Sequence, residues 1–292
     1  MALWAFYKSN IPCQSSVSAF SRRFRRKPWI LALAEGLLFL AVSGCSATLI
    51  LIPNAAGSST TVGLTGNWVF QFTPTSGATQ FTQLAGFVNQ VKGAPDTTTA
   101  ALQGTLMDCF AGRSFIPWYG NVSGASVNFY SFVVDGESVS IAANANSTQS
   151  QLTGTYTVTG PCADGAAGNV SGTRYASLTG TYTGALASNA GQHLQLVLNQ
   201  NAVATGNGTF FVTGTASLQG FSCFTSGTIA ANAGSIVGSN VQLQFTTNES
   251  GSSTVTVSGS IDPSADTFTV NSIQVSGGQC SGNLGGATLT RQ

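Results

Sequence analysis

The sequence predicts an all-β protein with two tandem antiparallel β modules behind a cleaved signal segment. After residue 61, Val, Ile, Leu and Phe alternate with Thr and Ser, which is the period of a half-buried strand. Gly, Pro, Asn and Asp interrupt this alternation at short intervals, as turns do. No helical period of comparable strength follows the N-terminal segment, and the same landmarks occur twice along the chain.

Residues 1–44 are typical of a signal peptide with a long positively charged region. Five cations lie within residues 22–27, and an apolar stretch, 29–42, follows them. A spanning helix needs about 20 apolar residues, whereas this stretch has about 14 and contains Glu35. Cleavage is therefore the favoured interpretation, with an uncleaved anchor as the alternative.

The apolar stretch ends in Val42-Ser43-Gly44-Cys45. This string resembles the lipobox of bacterial lipoproteins, in which the cysteine is acylated, with palmitate among its chains, and becomes the first residue of the mature protein. The resemblance implies a lipid anchor on Cys45 in the cell envelope. Because Ser46 and not an aspartate follows Cys45, it also implies the outer membrane, on its periplasmic or surface face, over the inner membrane. We expect 45–61 to be the lipidated cysteine and a flexible tether.

The mature chain carries little charge. From Cys45 onward it contains four Lys and Arg residues and eight Asp and Glu residues, a net charge of −4. A chain so poor in cations cannot neutralise a run of phosphates, so nucleic-acid binding is excluded as a function class. No motif indicates a cofactor.

An internal repeat divides the mature chain into module 1, residues 62–176, and module 2, residues 177–292. The repeated landmarks are the openings Leu64 to Trp68 and Leu178 to Tyr182, the strings Leu102-Gln103-Gly104 and Leu218-Gln219-Gly220, and the pairs Cys109 with Cys223 and Cys162 with Cys280.

Turn signals divide module 2 into eight strands. The hairpin around residues 261–268 illustrates the reasoning, because a Pro and two Asp residues interrupt an alternation that then resumes. The predicted strands are Leu178 to Ala185, His193 to Asn199, Thr209 to Leu218, Ser222 to Ile229, Val241 to Thr247, Thr254 to Ile261, Thr267 to Val275 and Cys280 to Thr290.

Each module opens with Leu-Thr-Gly-x-Trp or Leu-Thr-Gly-x-Tyr. This opening resembles the first-strand motif of lipocalins and avidins, where the aromatic residue plugs one end of an up-and-down barrel. The resemblance implies such a barrel, and a β-sandwich remains the alternative.

Four cysteines remain after Cys13, in the leader, and Cys45. Their placement in the repeat selects the pairs Cys109 with Cys162 and Cys223 with Cys280, one within each module. Closing loops of this size contributes about 4 kcal/mol of stability. A metal site is not expected, because the chain has no CxxC string and a single histidine. If each pair joins strands four and eight of its module, the barrel has to be flattened.

The sequence indicates no catalytic constellation. His193 lies on the polar phase of an alternating strand, and most acids occur in turn-like strings. The alternative to a non-enzymatic protein is a hydrolase of envelope polysaccharide that uses a pair of carboxylates. Its candidates in module 1 are Asp108, Asp135, Glu137 and Asp164.

One aromatic segment distinguishes the two modules. Phe115, Trp118 and Tyr119 follow Cys109, whereas the equivalent stretch of module 2 is rich in alanine. Such rings can stack on a glycan or a peptide, or they can pack in the core. We therefore expect a non-enzymatic lipoprotein whose modules serve binding or envelope structure, with this segment as its possible contact with a glycan or protein ligand.

Overall fold

The computed structural model describes residues 62–163, 165–278 and 281–292, which belong to one compact unit. The predicted signal peptide, Cys45, the tether, Asp164 and Cys280 lie outside these residues. The predicted all-β class is confirmed, since the described chain consists of seventeen strands and one short 3-10 turn. Within these ranges no helix is long and apolar enough to cross a bilayer.

Module 1 is a closed eight-stranded barrel in which each strand pairs antiparallel with the next and β8 pairs with β1. Its strands are β1 Gly66–Ser76, β2 Phe81–Val91, β3 Asp96–Leu106, β4 Phe115–Ser123, β5 Ser126–Ser131, β6 Ser138–Ala145, β7 Gln151–Thr159 and β8 Ala167–Tyr175.

Module 2 repeats this arrangement. Its strands are β9 Gly180–Leu186, β10 Asn189–Gln200, β11 Phe210–Gln219, β12 Ser226–Val237, β13 Asn240–Thr247, β14 Thr254–Ile261, β15 Thr267–Ser276, β16 Gly282–Asn283 and β17 Ala287–Arg291. The ring runs from β9 to β15 and closes through β17, which pairs with both β15 and β9, while β16 lies on the edge of β15. Both modules are therefore barrels and not open sandwiches.

Inward-facing side chains fill both barrels. Alternate residues of each strand are buried, as in Asn240–Thr247, where every second residue points inward. The core of module 1 is rich in aromatic rings, and Phe72 contacts both Phe81 and Tyr156 edge to face. The core of module 2 consists mainly of aliphatic side chains. The barrels are thus packed cores.

The contacts at the end where the chain enters each barrel, here called the floor, explain the repeated Leu-Thr-Gly string. Leu64 and Leu178 are fully buried there. The N–H of Leu64 donates to Oε1 of Gln90 over 2.7 Å. The Oγ1 of Thr65 accepts from the N–H of the same Gln90 over 3.0 Å.

Module 2 repeats these two bonds with Leu178, Thr179 and Gln200, at 2.8 and 3.0 Å. The Leu and Thr of the string therefore fix the entering chain to the second strand of each barrel.

An arginine on the last strand completes each floor. Arg174 donates to the carbonyl oxygens of Gly63 and Thr65, and Arg291 donates to those of Ser177 and Thr179. Gly66 and Gly180 leave room for these arginines, because a Cβ at either position would lie 2.8 Å from the arginine Nε. Both glycines also have φ near +150°, which side chains disfavour.

The aromatic residue of each opening is buried at the floor, as the resemblance implied. The Nε1 of Trp68 donates to the carbonyl oxygen of Leu64 over 2.7 Å, and the hydroxyl of Tyr182 donates to that of Ala265 over 2.8 Å. These bonds satisfy the polar atoms of both rings inside the protein.

A disulfide joins Cys109 to Cys162 at the opposite end of module 1. Cys109 lies in the 3-10 turn between β3 and β4, and Cys162 lies in the connection between β7 and β8, so the expectation that such a pair joins two strands is wrong. Both connections reach over the barrel mouth, where the Cα atoms come within 5.9 Å, and no flattening is needed. The neighbouring Phe110 is buried in this mouth.

In module 2, Cys223 is also disulfide-bonded and also precedes its strand, since β12 begins at Ser226 and not at the predicted Ser222. Its pairing with Cys280 stays a prediction, because Cys280 lies outside the described residues.

Module 2 packs on the outer face of β1 to β3 of module 1. The side-chain amide of Asn67 is buried and forms two bonds with the backbone of Gly238, at 2.7 and 2.8 Å. Beside it, Phe87 and Phe210 meet edge to face with ring centres 5.2 Å apart. This contact covers one wall of module 1 and leaves β4 to β7 exposed to solvent.

Candidate functional site

The exposed wall of module 1 carries a cluster of apolar side chains on β4, β5 and the loop after β5. On β4, Ile116 and Trp118 point into the barrel, so Tyr119 points outward. Tyr119 pairs with Tyr130 of β5, which brings their outward side chains together. Phe132 follows two residues later, with its N–H bonded to the carbonyl oxygen of Pro117 over 3.0 Å.

We call the set Tyr119, Tyr130, Phe132 and Val133 the aromatic surface. The ring of Tyr119 lies 5.7 Å from that of Tyr130 and 5.3 Å from that of Phe132. Tyr119 is 47% exposed, Phe132 54% and Val133 71%. Single exposed apolar residues are ordinary, but a contiguous group of three rings indicates a contact surface.

A shallow groove of about 150 Å³ continues the aromatic surface across β5, β6 and β7. Tyr130 forms one side of it, and its polar side chains are Asn128, Ser140, Thr155 and Thr157. Every side chain that lines the groove is uncharged. The site therefore places neutral hydrogen-bonding groups beside stacked rings.

The structure separates the three residues that the sequence suggested as ligand contacts. Tyr119 lies on the aromatic surface, and Phe115 is half-buried at the start of β4. Trp118 is 1% exposed and belongs to the core, so a ligand on the outer wall cannot reach it. This corrects the ligand-contact prediction for Trp118 and agrees with the packing alternative.

Sequence reasoning missed Tyr130, Phe132 and Val133. Phe129 points into the barrel, and neighbouring residues of a strand point to opposite faces, so the outward direction of Tyr130 was predictable. Phe132, just after the strand, continues the same alternation. Their proximity to Tyr119 depends on the β4–β5 register, which the sequence did not give.

In the described part of module 2, the corresponding wall has no such cluster. The outward residues of β13 are polar, with Gln242 and Gln244 among them, and β12 exposes Ala230, Ala231 and Asn232. The aromatic surface is thus a feature of one copy of the duplicated barrel.

Of the candidate carboxylates of module 1, Asp108 is exposed in the 3-10 turn, and two others have structural partners. Asp135 pairs with Arg113 over 2.6 Å on the surface. Glu137 is buried and accepts the N–H groups of Cys162 and Ala163, over 2.7 and 3.2 Å, which fixes the disulfide loop. The fourth candidate, Asp164, lies outside the described residues.

The carboxyl group of Asp96 is perturbed by its neighbours in the turn between β2 and β3. Its pKa is lowered to about 2, first by the backbone N–H of Gly93 and then by Lys92, whose Nζ lies 3.0 Å away. Gln90 also donates to it, over 2.8 Å, and links it to the floor. These bonds show that Asp96, the first residue of β3, stabilises the turn between β2 and β3.

The histidine and the metal site considered from the sequence can also be compared with the structure. His193 points outward from β10 and is exposed. In the ranges that the structure describes, no group of three or more His, Cys, Asp or Glu side chains could hold a metal ion.

No protein-family model matches the chain, and neither a curated protein nor a solved structure is significantly similar to it. The aromatic surface and its groove are therefore interpreted from their own chemistry.

Proposed function

We propose that this protein is a non-enzymatic exported lipoprotein that binds an uncharged glycan on the aromatic surface of module 1. The observation that carries the proposal is the contact of Tyr119 with Tyr130 and Phe132 on an exposed strand wall, next to a groove of neutral polar side chains. The equivalent wall of module 2 lacks these rings.

The chemistry of this wall suits a neutral sugar. One face of a pyranose ring is formed by C–H groups, which pack against an aromatic ring, while its hydroxyl groups bond to amide and hydroxyl side chains. Tyrosine offers a large contact area at a small cost in conformational entropy. Because side chains fill both barrel interiors, a ligand has to bind outside them, as on this wall.

A glycan array identifies the ligand, and titration of the full chain then tests the site. Tyr119→Ala and Tyr130→Ala should each weaken binding of the selected neutral oligosaccharide about tenfold, equivalent to about 1.4 kcal/mol. Val197→Ala is the matched control, because Val197 is also 47% exposed on an outer barrel wall, in module 2. Equal binding by the parent and both tyrosine variants would refute the assignment of the site.

The lipid anchor on Cys45 belongs to the same proposal and has its own test. Labelling with a palmitate analogue should mark the parent protein and not Cys45→Ala. Equal labelling of both forms would show that Cys45 is not acylated. We propose the outer membrane as the location, on the basis of Ser46.

The alternative function is a hydrolase of envelope polysaccharide. Asp135 and Glu137 have the structural partners given above, so no observation favours a catalytic pair in module 1. If an activity is found, single substitutions of Asp108, Asp135, Glu137 and Asp164 to their amides test this alternative.

A further inference from the structure

A second candidate site lies between the two barrels. A cleft of about 610 Å³ opens where the floors of the modules meet. Tyr175 is half-buried and supplies an aromatic wall, Pro263 contributes from the β14–β15 turn, and Arg174, Gln149 and Gln200 supply polar groups. Its volume is within the range of small-molecule sites, which often lie between domains.

Hydrogen bonds within the fold hold the polar groups of the cleft in place. The Oε1 of Gln149 accepts from the N–H of Gly63 over 2.8 Å, and the Oε1 of Gln200 accepts from the N–H of Leu178 over 2.8 Å. Among the described residues, neither side-chain NH₂ group has a hydrogen-bond partner. Both glutamines are thus fixed by their oxygen atoms and keep donors for a ligand.

The loop beside Arg174 distinguishes this floor from that of module 2. Arg174 has no carboxylate within salt-bridge distance in the described part of the chain, and its guanidinium contacts only backbone carbonyl oxygens. At the floor of module 2, the loop beside Arg291, residues 262–266, contains Asp262 and Asp266. The loop that lines the cleft in the corresponding place of module 1, residues 146–150, contains no acid.

We propose that the cleft binds a carboxylate-bearing saccharide, with Arg174 as the counter-charge of the carboxylate. An arginine fork suits a carboxylate, the free glutamine NH₂ groups suit ring hydroxyls, and the aromatic wall suits the apolar face of a sugar. No acid is among the residues that line the cleft, and Arg174 is the one charged side chain among them. This site is separate from the aromatic surface, which has no charged lining.

Gln149→Glu tests the proposal, because it keeps the acceptor for Gly63 and replaces the free donor with a negative charge. The probe is a trimer of galacturonic acid, titrated into the full chain, with the neutral galactose trimer as the comparison. Gln244→Glu is the matched control, since it makes the same charge change at an exposed position on β13, away from the cleft.

We expect the acidic trimer to bind, Gln149→Glu to weaken that binding at least tenfold, and Gln244→Glu to leave it unchanged. Raising the salt concentration should also weaken it, because the contact is between charges. Arg174→Gln, checked for folding by circular dichroism, should abolish the preference for the acidic trimer. No binding of the acidic trimer, equal binding of the neutral trimer or an unaffected Gln149→Glu variant would overturn the proposal. Tyr119→Ala should leave this binding intact, which separates it from the proposed function.

Discussion

The two buried tryptophans of module 1 permit a direct test of the core. Trp68 donates its Nε1–H to the carbonyl oxygen of Leu64 over 2.7 Å, whereas the Nε1 of Trp118 has no hydrogen-bond partner among the described residues. Both side chains are almost fully buried. Replacing each with phenylalanine therefore removes a similar apolar volume but a different polar contact.

The expected changes in the free energy of unfolding follow from this difference. Trading tryptophan for phenylalanine loses about two buried carbon atoms, a cost of about 1.5 kcal/mol in either position. At Trp68 the lost bond leaves the oxygen of Leu64 unsatisfied, which adds about 1–3 kcal/mol. At Trp118 the removal of an unpaired buried N–H returns about 1–3 kcal/mol, so the net change is near zero.

Urea unfolding of the oxidised full chain, followed by circular dichroism, measures both variants. We expect Trp68→Phe to lose at least 2 kcal/mol more than Trp118→Phe, with equal denaturant slopes. Trp118→Ala should cost about 3–5 kcal/mol, as large buried truncations do. If Trp118→Phe is as destabilising as Trp68→Phe, the reasoning about the unpaired N–H is wrong. A stable Trp118→Ala would show that the residue is not in the core.

Three further predictions concern covalent structure and pH. Replacing Cys109 and Cys162 together with alanine should lower the free energy of unfolding by about 4 kcal/mol, since their bond closes a separation of 53 residues, and urea midpoints measure this. Non-reducing peptide mapping should join Cys223 to Cys280, and a peptide that links Cys109 to Cys223 would contradict the pairing. The pKa of Asp96 is lowered to about 2, so its stabilising effect should be complete above about pH 4 and fade as the pH falls toward 2. Asp96→Asn should remove that part of the acid dependence of the melting temperature.

The strands were predictable because alternation and turns are local signals. The predicted strand Thr254 to Ile261 agrees at both ends with the observed β14. The turn after β14 is stabilised by a bond in which the N–H of Thr267 donates to Oδ1 of Asp262 over 2.8 Å. This bond depends only on residues close in sequence. Barrel closure is a long-range property, and the lipocalin-like opening indicated it by resemblance alone.

The cysteine positions were misread for a related reason. Alternation does not show where a strand begins when the preceding loop also contains apolar residues. Phe221 and Phe224 are stacked in the loop before β12, and they made 222–229 look like strand. In module 1 the short turn around Cys109 carries Phe110 into the barrel mouth, which a period of two cannot represent.

The candidate site was only partly predictable, because β4 is apolar on both faces. Phe115 and Tyr119 alternate with Ile116 and Trp118, so the sequence could not say which pair faces the core. The contact between Tyr119 and Tyr130 depends on the register of β4 and β5, and the cleft depends on how the two barrels pack. None of these is a local property of the chain.

The duplication itself separates structural contacts from those available for binding. The bonds of Gln90 and Gln200 and those of Arg174 and Arg291 recur at both floors, so their common role is to fasten the entering chain. Among the residues that the structure describes, the aromatic surface and the acid-free loop beside Arg174 have no counterpart in module 2. A residue that a barrel needs is expected in both copies, whereas a residue that serves a ligand can differ between them. By this criterion, the ligand contacts specific to module 1 are the aromatic surface and Gln149 with its acid-free loop, whereas Arg174 and Gln200 also serve the fold in both copies.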